Sequence, residues 1–273
     1  MTGAYAALAA MLKARSGLML GPDKQYLLET RLAPLLKREG LRTLDELAAR
    51  LKPGGVLEAE VVEAMTTNES LFFRDGKPFD LLRRSILPRL HASRPAGARL
   101  RIWSAAAANG QEAYSIAMVA AELAAAMPGR GVEIVGTDIA REPLARARQG
   151  LYSQFEVQRG LPMQALVKHF AKEEGQWRVK PHLRDMVNFK TWNLLSDLRP
   201  LGRFDVVFCR NVLIYFDIAT KKTVLEAMSQ QMQDDAVLFL GGAETVLGVT
   251  DSFRTLPNEG STYTPATALR PAA

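Results

Sequence analysis

The residues of this chain that could do chemistry stand directly behind apolar runs. After residues 100–103 comes Ser104-Ala-Ala-Ala-Ala-Asn109-Gly110-Gln111-Glu112, and after 132–135 comes Gly136-Thr137-Asp138. Behind 204–209 stands Arg210-Asn211-Val212-Leu213-Ile214-Tyr215-Phe216-Asp217. In an open parallel sheet a ligand lies outside the carboxyl ends of the strands, so these are the places where a site belongs. The run of small residues lets a ligand approach the backbone before a helix begins. It lacks the GxGxxG pattern, so a nicotinamide pyrophosphate finds no cradle. Asp138 stands where a carboxylate accepts hydrogen bonds from the two hydroxyls of a ribose, and the alternative, a cap on a helix starting near Arg141, could coexist with that role. Tyr215 could reach over a reacting centre, while plain packing accounts as well for Tyr215 and Phe216.

The elements that must position these clusters follow from periodicity. Strands at 100–103, 132–135, 204–209 and 236–240 alternate with helices at 113–126, 142–149 and 219–231, which predicts a mostly parallel sheet with right-handed crossovers. Residues 152–193 break the alternation. There the β-like pieces 176–179 and 187–190, the first preceded by the turn signal Glu173-Glu174-Gly175, predict a helix followed by a small antiparallel excursion inserted in the main sheet. Ahead of the sheet, residues 5–64 carry apolar residues at helical spacing, punctuated by Gly21-Pro22, Gly40 and Pro53-Gly54-Gly55. The expected organisation is a helical domain over 1–75, a helical linker over 76–98, and an α/β domain over 99–273 with a β-subdomain inserted at about 171–191. A frayed end is expected over 265–273. The helical segment 25–40 is amphipathic and basic, with Lys24, Arg31, Lys37, Arg38 and Arg42 on or beside it. Pro34 should kink or end it.

Bulk composition excludes several classes. With 48% hydrophobic and 23% charged residues in 273, the chain is ordinary globular protein. Its longest apolar run, before Pro128, is interrupted by Glu122, so no membrane insertion is expected. The N-terminus shows no basic segment followed by an apolar one, and a cytoplasmic location is expected. Cys209 is the only cysteine, which excludes an intramolecular disulfide and a thiolate cluster. His91, His169 and His182 lack ligand-like spacing, so no metal is expected. The net charge of +6 would suit an acidic partner, whether nucleic acid, membrane surface or a glutamate-rich protein, and would equally suit a solvated basic surface.

Five ordered stretches carry a resemblance. Thr66-Thr67-Asn68-Glu69-Ser70-Leu71-Phe72-Phe73-Arg74-Asp75 comes first. Arg101-Ile102-Trp103-Ser104-Ala105-Ala106 with Gly110-Gln111-Glu112-Ala113-Tyr114-Ser115 comes next. Gly136-Thr137-Asp138-Ile139, Asn193-Leu194-Leu195 and the segment from Phe204-Asp205 to Asp217 complete the set. Over nearly the whole chain these closely resemble the CheR family of chemotaxis receptor methyltransferases. The resemblance implies an α/β fold, namely a Rossmann-like S-adenosylmethionine-dependent domain with a mostly parallel sheet and a small antiparallel β-subdomain, behind a small all-α domain. It implies methyl transfer from S-adenosylmethionine to glutamate side chains in the cytoplasmic domain of chemoreceptors, giving glutamate methyl esters and S-adenosylhomocysteine. By motif matching, cofactor contacts are implied for Asn68, Ser70, Arg74, Glu112, Asp138, Asn193, Leu194, Arg210 and Asn211, with Arg74 and Tyr215 beside the reacting groups. Lys24, Arg31, Lys37 and Arg38 correspond to the family's proposed docking surface for acidic receptor segments. A monomer is expected.

Some positions depart from the family pattern. Gln111 replaces a common acidic residue, Ala113 a common proline, and Gly241-Gly242-Ala243-Glu244 a glycine-His/Asn-serine-glutamate sequence. The turn at 172–176 is short for a subdomain that in some members binds a C-terminal receptor pentapeptide, so no tether binding is expected. A nucleic-acid methyltransferase would commonly place Asp/Asn-Pro-Pro-aromatic where Arg210-Asn211-Val212 stands. A non-catalytic signalling adaptor has no need of Arg74, Asp138, Arg210 and Tyr215 together.

Overall fold

The leucine-rich start of the chain folds as four helices: α1 (Gly3–Ser16), α2 (Gln25–Glu39), α3 (Leu44–Arg50) and α4 (Val56–Met65). The computed structural model describes residues 3–129, 131–257 and 259–266. Leu8 and Leu12 of α1, Leu28, Leu32 and Leu35 of α2, Leu47 of α3 and Val61 and Met65 of α4 meet in one apolar cluster. Gly40 takes a left-handed conformation that ends α2, and the Thr43 side chain accepts the Glu46 N–H at the start of α3. Contrary to the sequence expectation, α2 runs unbroken through Pro34. An interior proline costs about 3 kcal/mol, whereas each buried leucine returns roughly 1.5–3 kcal/mol. Three of them, on both sides of Pro34, hold the helix together.

A continuous helical run follows, made of α5 (Lys77–Leu81), a π-helical turn over Leu82–Ile86 and α6 (Leu87–Ser93). It leads into β1 (Leu100–Ala105), α7 (Gln111–Leu123), β2 (Val132–Asp138) and α8 (Arg141–Gln149). Next come β3 (Leu151–Tyr152), α9 (Gln154–Gln158), α10 (Met163–His169), β4 (Phe170–Glu173), β5 (Gln176–Val179), α11 (Pro181–Arg184) and β6 (Val187–Thr191). The chain continues through β7 (Phe204–Cys209), α12 (Ile218–Gln230), β8 (Met232–Leu240), β9 (Phe253–Thr255) and β10 (Thr262–Pro265).

The main sheet has the order β6-β2-β1-β7-β8-β10-β9. β6, β2, β1, β7 and β8 are parallel, while β10 and β9 close one edge antiparallel. The chain leaves β1 towards β2 on one side and returns to β7 on the other. The switch point therefore lies at the carboxyl ends of β1 and β7, between two of the three polar clusters. One apolar layer, with α7, α8 and the α5–α6 run, covers one face of the sheet, and a second, with α12, covers the other.

Two sequence expectations change. Residues 187–190 were expected in the antiparallel excursion, but β6 pairs parallel with β2, from Ile134↔Val187 to Asp138↔Thr191. Phe189 makes the difference, because its buried ring lies against Gly136, where any Cβ would come within 2.6 Å of it. The antiparallel sheet is instead β3-β5-β4 and begins at Leu151, ahead of the expected 171. The strands β9 and β10 are too short to leave a periodicity in the sequence. The expected fraying at 265–273 falls mostly on residues 267–273, outside the described residues.

His169, at the end of α10, is buried with Nδ1 3.1 Å from Nε2 of His182. Burial, then the His182 and Lys168 charges, push its pKa from 6.5 down to about 4. As the pH falls, the unfolded chain takes this proton before the folded one does. The stabilisation is therefore complete above about pH 6.5 and is lost towards pH 4. Thermal melts across that window should show a falling Tm, with a shallower fall in His169→Gln.

Candidate active site

The loop after β1 is wrapped around one carboxylate. Asp138, the last residue of β2, accepts the Ala108 N–H on Oδ2 at 2.8 Å and the Ala140 N–H on Oδ1 at 2.9 Å. Ala107 N–H donates to the Thr137 carbonyl at 2.8 Å. Ala106, Ala108 and Gly110 all adopt positive φ, at 63°, 46° and 89°. At Gly110 a Cβ would meet the Ala147 Cβ at 2.8 Å, so the tight turn into α7 requires glycine. Asp138 is 7% exposed, and burial raises its pKa against the opposing pull of the Ala140 and Ala108 amides. Each carboxylate oxygen still has acceptor capacity beyond its backbone partner. Ala140, not Asp138, occupies the N-cap of α8, which sets aside the capping alternative.

Beside it lies an ionic chain centred on a buried arginine. Ser104 Oγ donates to Glu112 Oε1 at 2.8 Å, and Arg210 Nη1 donates to Glu112 Oε2 at 3.2 Å. Arg210 Nη2 donates to the Arg74 carbonyl at 3.0 Å and forms an ion pair with Asp75. The Arg210 side chain is only 2% exposed, and its Nε has no hydrogen-bond partner among the described residues. Burial is the largest influence on Glu112 and raises its pKa, with the Arg210 charge opposing it. This chain fixes the backbone of Arg74. No hydrogen bond or ion pair among the described residues engages the Arg74 guanidinium, which therefore remains available at the cleft.

Glu244 organises the loop after β7, and sequence reasoning did not single it out as a site residue. Its carboxylate accepts the N–H groups of Gly241 (2.7 Å), Asn211 (2.8 Å), Val212 (2.9 Å) and Ile214 (3.2 Å). The loop includes Asn211 at φ 59° and a 3₁₀ turn over Leu213–Tyr215. Glu244 follows β8 and lies 30 to 33 residues from the loop amides it holds. The local signal was only an acidic residue after Gly241-Gly242, which by itself has no partner.

The helical domain forms the remaining wall. Asn193 donates from Nδ2 to the Arg15 carbonyl at 2.5 Å, Met19 N–H donates to the Tyr215 carbonyl at 2.9 Å, and Lys13 pairs with Asp217 at 2.6 Å. The Glu142 N–H, in the first turn of α8, donates to Glu63 of α4 at 2.7 Å. Arg31 reaches the Met65 and Thr66 carbonyls at 2.6 and 3.1 Å and Thr67 Oγ1 at 3.0 Å, clamping the start of the 66–75 segment. The result is a cleft of about 1030 Å³, counting its open mouth. Asn68, Ser70, Arg74, Glu112, Asp138, Asn193, Leu194, Arg210, Asn211 and Tyr215 all line it. Ala106 and Ala108 of the expected small-residue run line it too, as do Ser16, Leu18, Ile139 and Trp192, which were not among the expected contacts.

The four basic residues of the expected docking surface divide. Arg31 is committed to its backbone clamp, and Arg38 pairs with Glu60 and Glu39. Lys24 and Lys37 are exposed and carry no ion pair among the described residues. No group of described residues could hold a metal ion, and no described helix is long and apolar enough to cross a membrane.

The sequence that builds this site matches a known family. The model for the CheR methyltransferase SAM-binding domain matches residues 68–261, and that for the CheR methyltransferase all-alpha domain matches residues 3–66. The chain belongs to the CheR methyltransferase family. It is 41% identical to chemotaxis protein methyltransferase Cher2 of Pseudomonas putida, over 87% of this chain and 88% of that protein. It is 42% identical to chemotaxis protein methyltransferase 1 of Pseudomonas aeruginosa over the same shares. Identity to chemotaxis protein methyltransferase 1 of Vibrio cholerae is 39%, over 89% of each chain.

The cofactor of this CheR-family domain is S-adenosylmethionine, and the residues present fit it. The Asp138 carboxylate has spare acceptor capacity for a ribose diol. Small residues with left-handed backbone bring the loop after β1 close to the cleft, and the separate carboxyl groups of Glu112 and Asp138 in its lining suit a cationic ligand.

Glu244→Ala would strand buried amides on two loops at once. The variant should lose about 3 kcal/mol of stability in chemical denaturation and at least tenfold in S-adenosylhomocysteine affinity by calorimetry. An unchanged affinity would remove Glu244 from the organisation of the site.

Proposed function

We propose that this CheR-family enzyme methylates glutamate γ-carboxylates in the cytoplasmic domain of chemoreceptors, using S-adenosylmethionine and releasing S-adenosylhomocysteine. The observation that carries this reading is the meeting of Asp138, Glu112 and Asn211 with Arg74 and Tyr215 in one cleft. Bound S-adenosylmethionine supplies a methyl group already activated on a positively charged sulfur. A glutamate side chain is ionised at neutral pH, so no residue of the site has to remove a proton. The C–O bond of the ester forms as the methyl C–S bond breaks, and the carboxylate oxygen supplies the electron pair. What the protein contributes is placement, which can supply on the order of 7–11 kcal/mol of a barrier.

Asp138 and Glu112 hold the donor side, with Asn68, Ser70, Asn193, Leu194, Arg210 and Asn211 completing the pocket. Arg74 orients the incoming carboxylate through limited contact, because a tight bidentate pair would dull its nucleophilicity. Tyr215 stands beside the reacting groups with its hydroxyl as a hydrogen-bond donor. Lys24 and Lys37 offer free positive charge to an acidic receptor segment, whereas Arg31 and Arg38 act through the clamp and the Glu60 pair. The helical domain over 1–75, the linker over 76–98 and the methyltransferase domain over 99–273 form the working units of a cytoplasmic monomer.

Incubation with labelled S-adenosylmethionine and a receptor cytoplasmic domain should incorporate label that base releases as methanol. Base-stable label would mean a different linkage and sink the reading. Arg74→Ala should reduce kcat at least a hundredfold with Tm within about 2 °C of wild type. Near-normal turnover by that variant, saturated with cofactor, would take Arg74 out of catalysis.

Tether binding is not part of this function. β4 and β5 are joined by the two-residue turn Glu174-Gly175, with φ 47° and 81°, flanked by the pair Glu173↔Gln176. This is the tightest form of hairpin and leaves no extended loop to embrace a peptide. Calorimetry with an aromatic-ended receptor pentapeptide should give no heat at micromolar concentrations, and micromolar binding would overturn the assignment.

A further inference from the structure

One buried hydroxyl outside the cleft is bonded to the loop that lines it. Tyr152, the last residue of β3, donates from its hydroxyl to the Asn109 carbonyl at 2.7 Å. Asn109 stands between Ala108 and Gly110, both at positive φ, and its own Nδ2 donates to the Asn68 carbonyl at 3.1 Å. Ala108, its neighbour in the chain, and Asn68, its hydrogen-bond partner, both line the cleft.

Aromatic packing fixes the position of this hydroxyl. Tyr152 is 1% exposed, and its ring meets Phe72 edge-on with centroids 5.0 Å apart, while Phe170 of β4 lies 5.6 Å from Phe72. Gly160 approaches so closely that a Cβ there would come within 2.1 Å of the Phe72 carbonyl oxygen. The antiparallel subdomain is thereby packed against segment 66–75 and bonded to the loop after β1. An alanine in the left-handed region is unfavourable and persists where its surroundings over-determine it. At Ala108 two anchors do so: Asp138 accepts its N–H, and Tyr152 holds the carbonyl of the next residue.

We propose that Tyr152 is a positioning residue for S-adenosylmethionine, its hydroxyl keeping the loop over 106–110 in the shape that presents Ala106 and Ala108 to the cofactor and keeps the Ala108 amide on Asp138. It touches neither cofactor nor substrate and acts through Asn109. The antiparallel subdomain, which offers no extended loop to a receptor tether, serves as a brace for the cofactor loop. This role belongs to the cofactor site, whichever protein accepts the methyl group.

Tyr114 supplies a matched comparison. Its hydroxyl is equally buried, at 1% exposure, and donates at the same 2.7 Å, but to a carbonyl outside the loop, that of Ala147 in α8. Calorimetry with S-adenosylhomocysteine on the full chain provides the test. Tyr152→Phe keeps the ring and removes only the hydroxyl, and it should raise Kd about tenfold. Tyr114→Phe should leave Kd near the wild-type value, while the two variants lower Tm alike. In methylation kinetics with a receptor domain that the wild-type enzyme methylates, Tyr152→Phe should raise KM for S-adenosylmethionine to the same degree and leave kcat at saturating cofactor near wild type. An unchanged Kd in Tyr152→Phe, or an equal rise in both variants, would reduce Tyr152 to a packing residue and overturn the proposal. Absence of base-labile methylation by the wild-type enzyme would instead overturn the receptor reading and leave the binding comparison to decide the role of Tyr152.

Discussion

Two buried carboxylates that accept backbone N–H groups hold the working end of this molecule together. Asp138 draws the loop after β1 and the turn into α8 onto the end of β2. Glu244 draws the loop after β7 onto the end of β8. Loops that must leave room for a ligand cannot fill their interior with apolar packing, and their amides would otherwise be left without partners. A carboxylate that meets several amides resolves both problems, because its two oxygens offer acceptor sites to more than one segment at once. Asp138 also keeps acceptor capacity beyond its backbone partners, so the residue that builds the pocket still faces it with open lone pairs.

The helical domain is as much a part of the site as the sheet. Segment 66–75 passes from α4 into α5 and brings Asn68, Ser70 and Arg74 to the cleft. Arg31 clamps its beginning, and Arg210 holds its end through the Arg74 carbonyl and Asp75. Basic side chains thus position the backbone on which a third, unpaired arginine is presented. Surface ion pairs of this kind contribute little to stability when exposed. Arg210 is different, since its side chain is buried and losing the largely enclosed Glu112 would leave it under-compensated.

Much of this was legible in the sequence, for physical reasons. Strand and helix periods of two and 3.6 residues, with polar residues immediately after the apolar runs, located β1, β2, β7 and β8 and the three clusters at their ends. Strand β7 was read with its observed bounds, and the extended starts of β1 and β2 were found but their last residues were not. Those residues, Ser104 and Ala105 in one case and Gly136 to Asp138 in the other, are small or polar and enter the ladder because neighbouring strands pair with them. Local pattern failed where tertiary partners decide. The register of β6 depends on Phe189 meeting Gly136, and the continuity of α2 through Pro34 depends on a leucine face that only the helical domain buries.

The sequence by itself determined the architecture and the three polar clusters at the strand ends, because residues placed after parallel strands must converge at the sheet's carboxyl edge, while the family and the places of Asn68, Ser70 and Arg74 came from the resemblance. The tertiary structure alone decided what each charged group is free to do. A charge in a sequence carries no partner. Folding set Arg31 on backbone carbonyls, gave Arg38 to Glu60, enclosed Arg210 between Glu112 and Asp75, and made Glu244 the anchor of a loop far from it in the chain. Arg74 kept its guanidinium without a partner among the described residues, and that difference in pairing separates the arginine left open at the cleft from those that hold its segment in place.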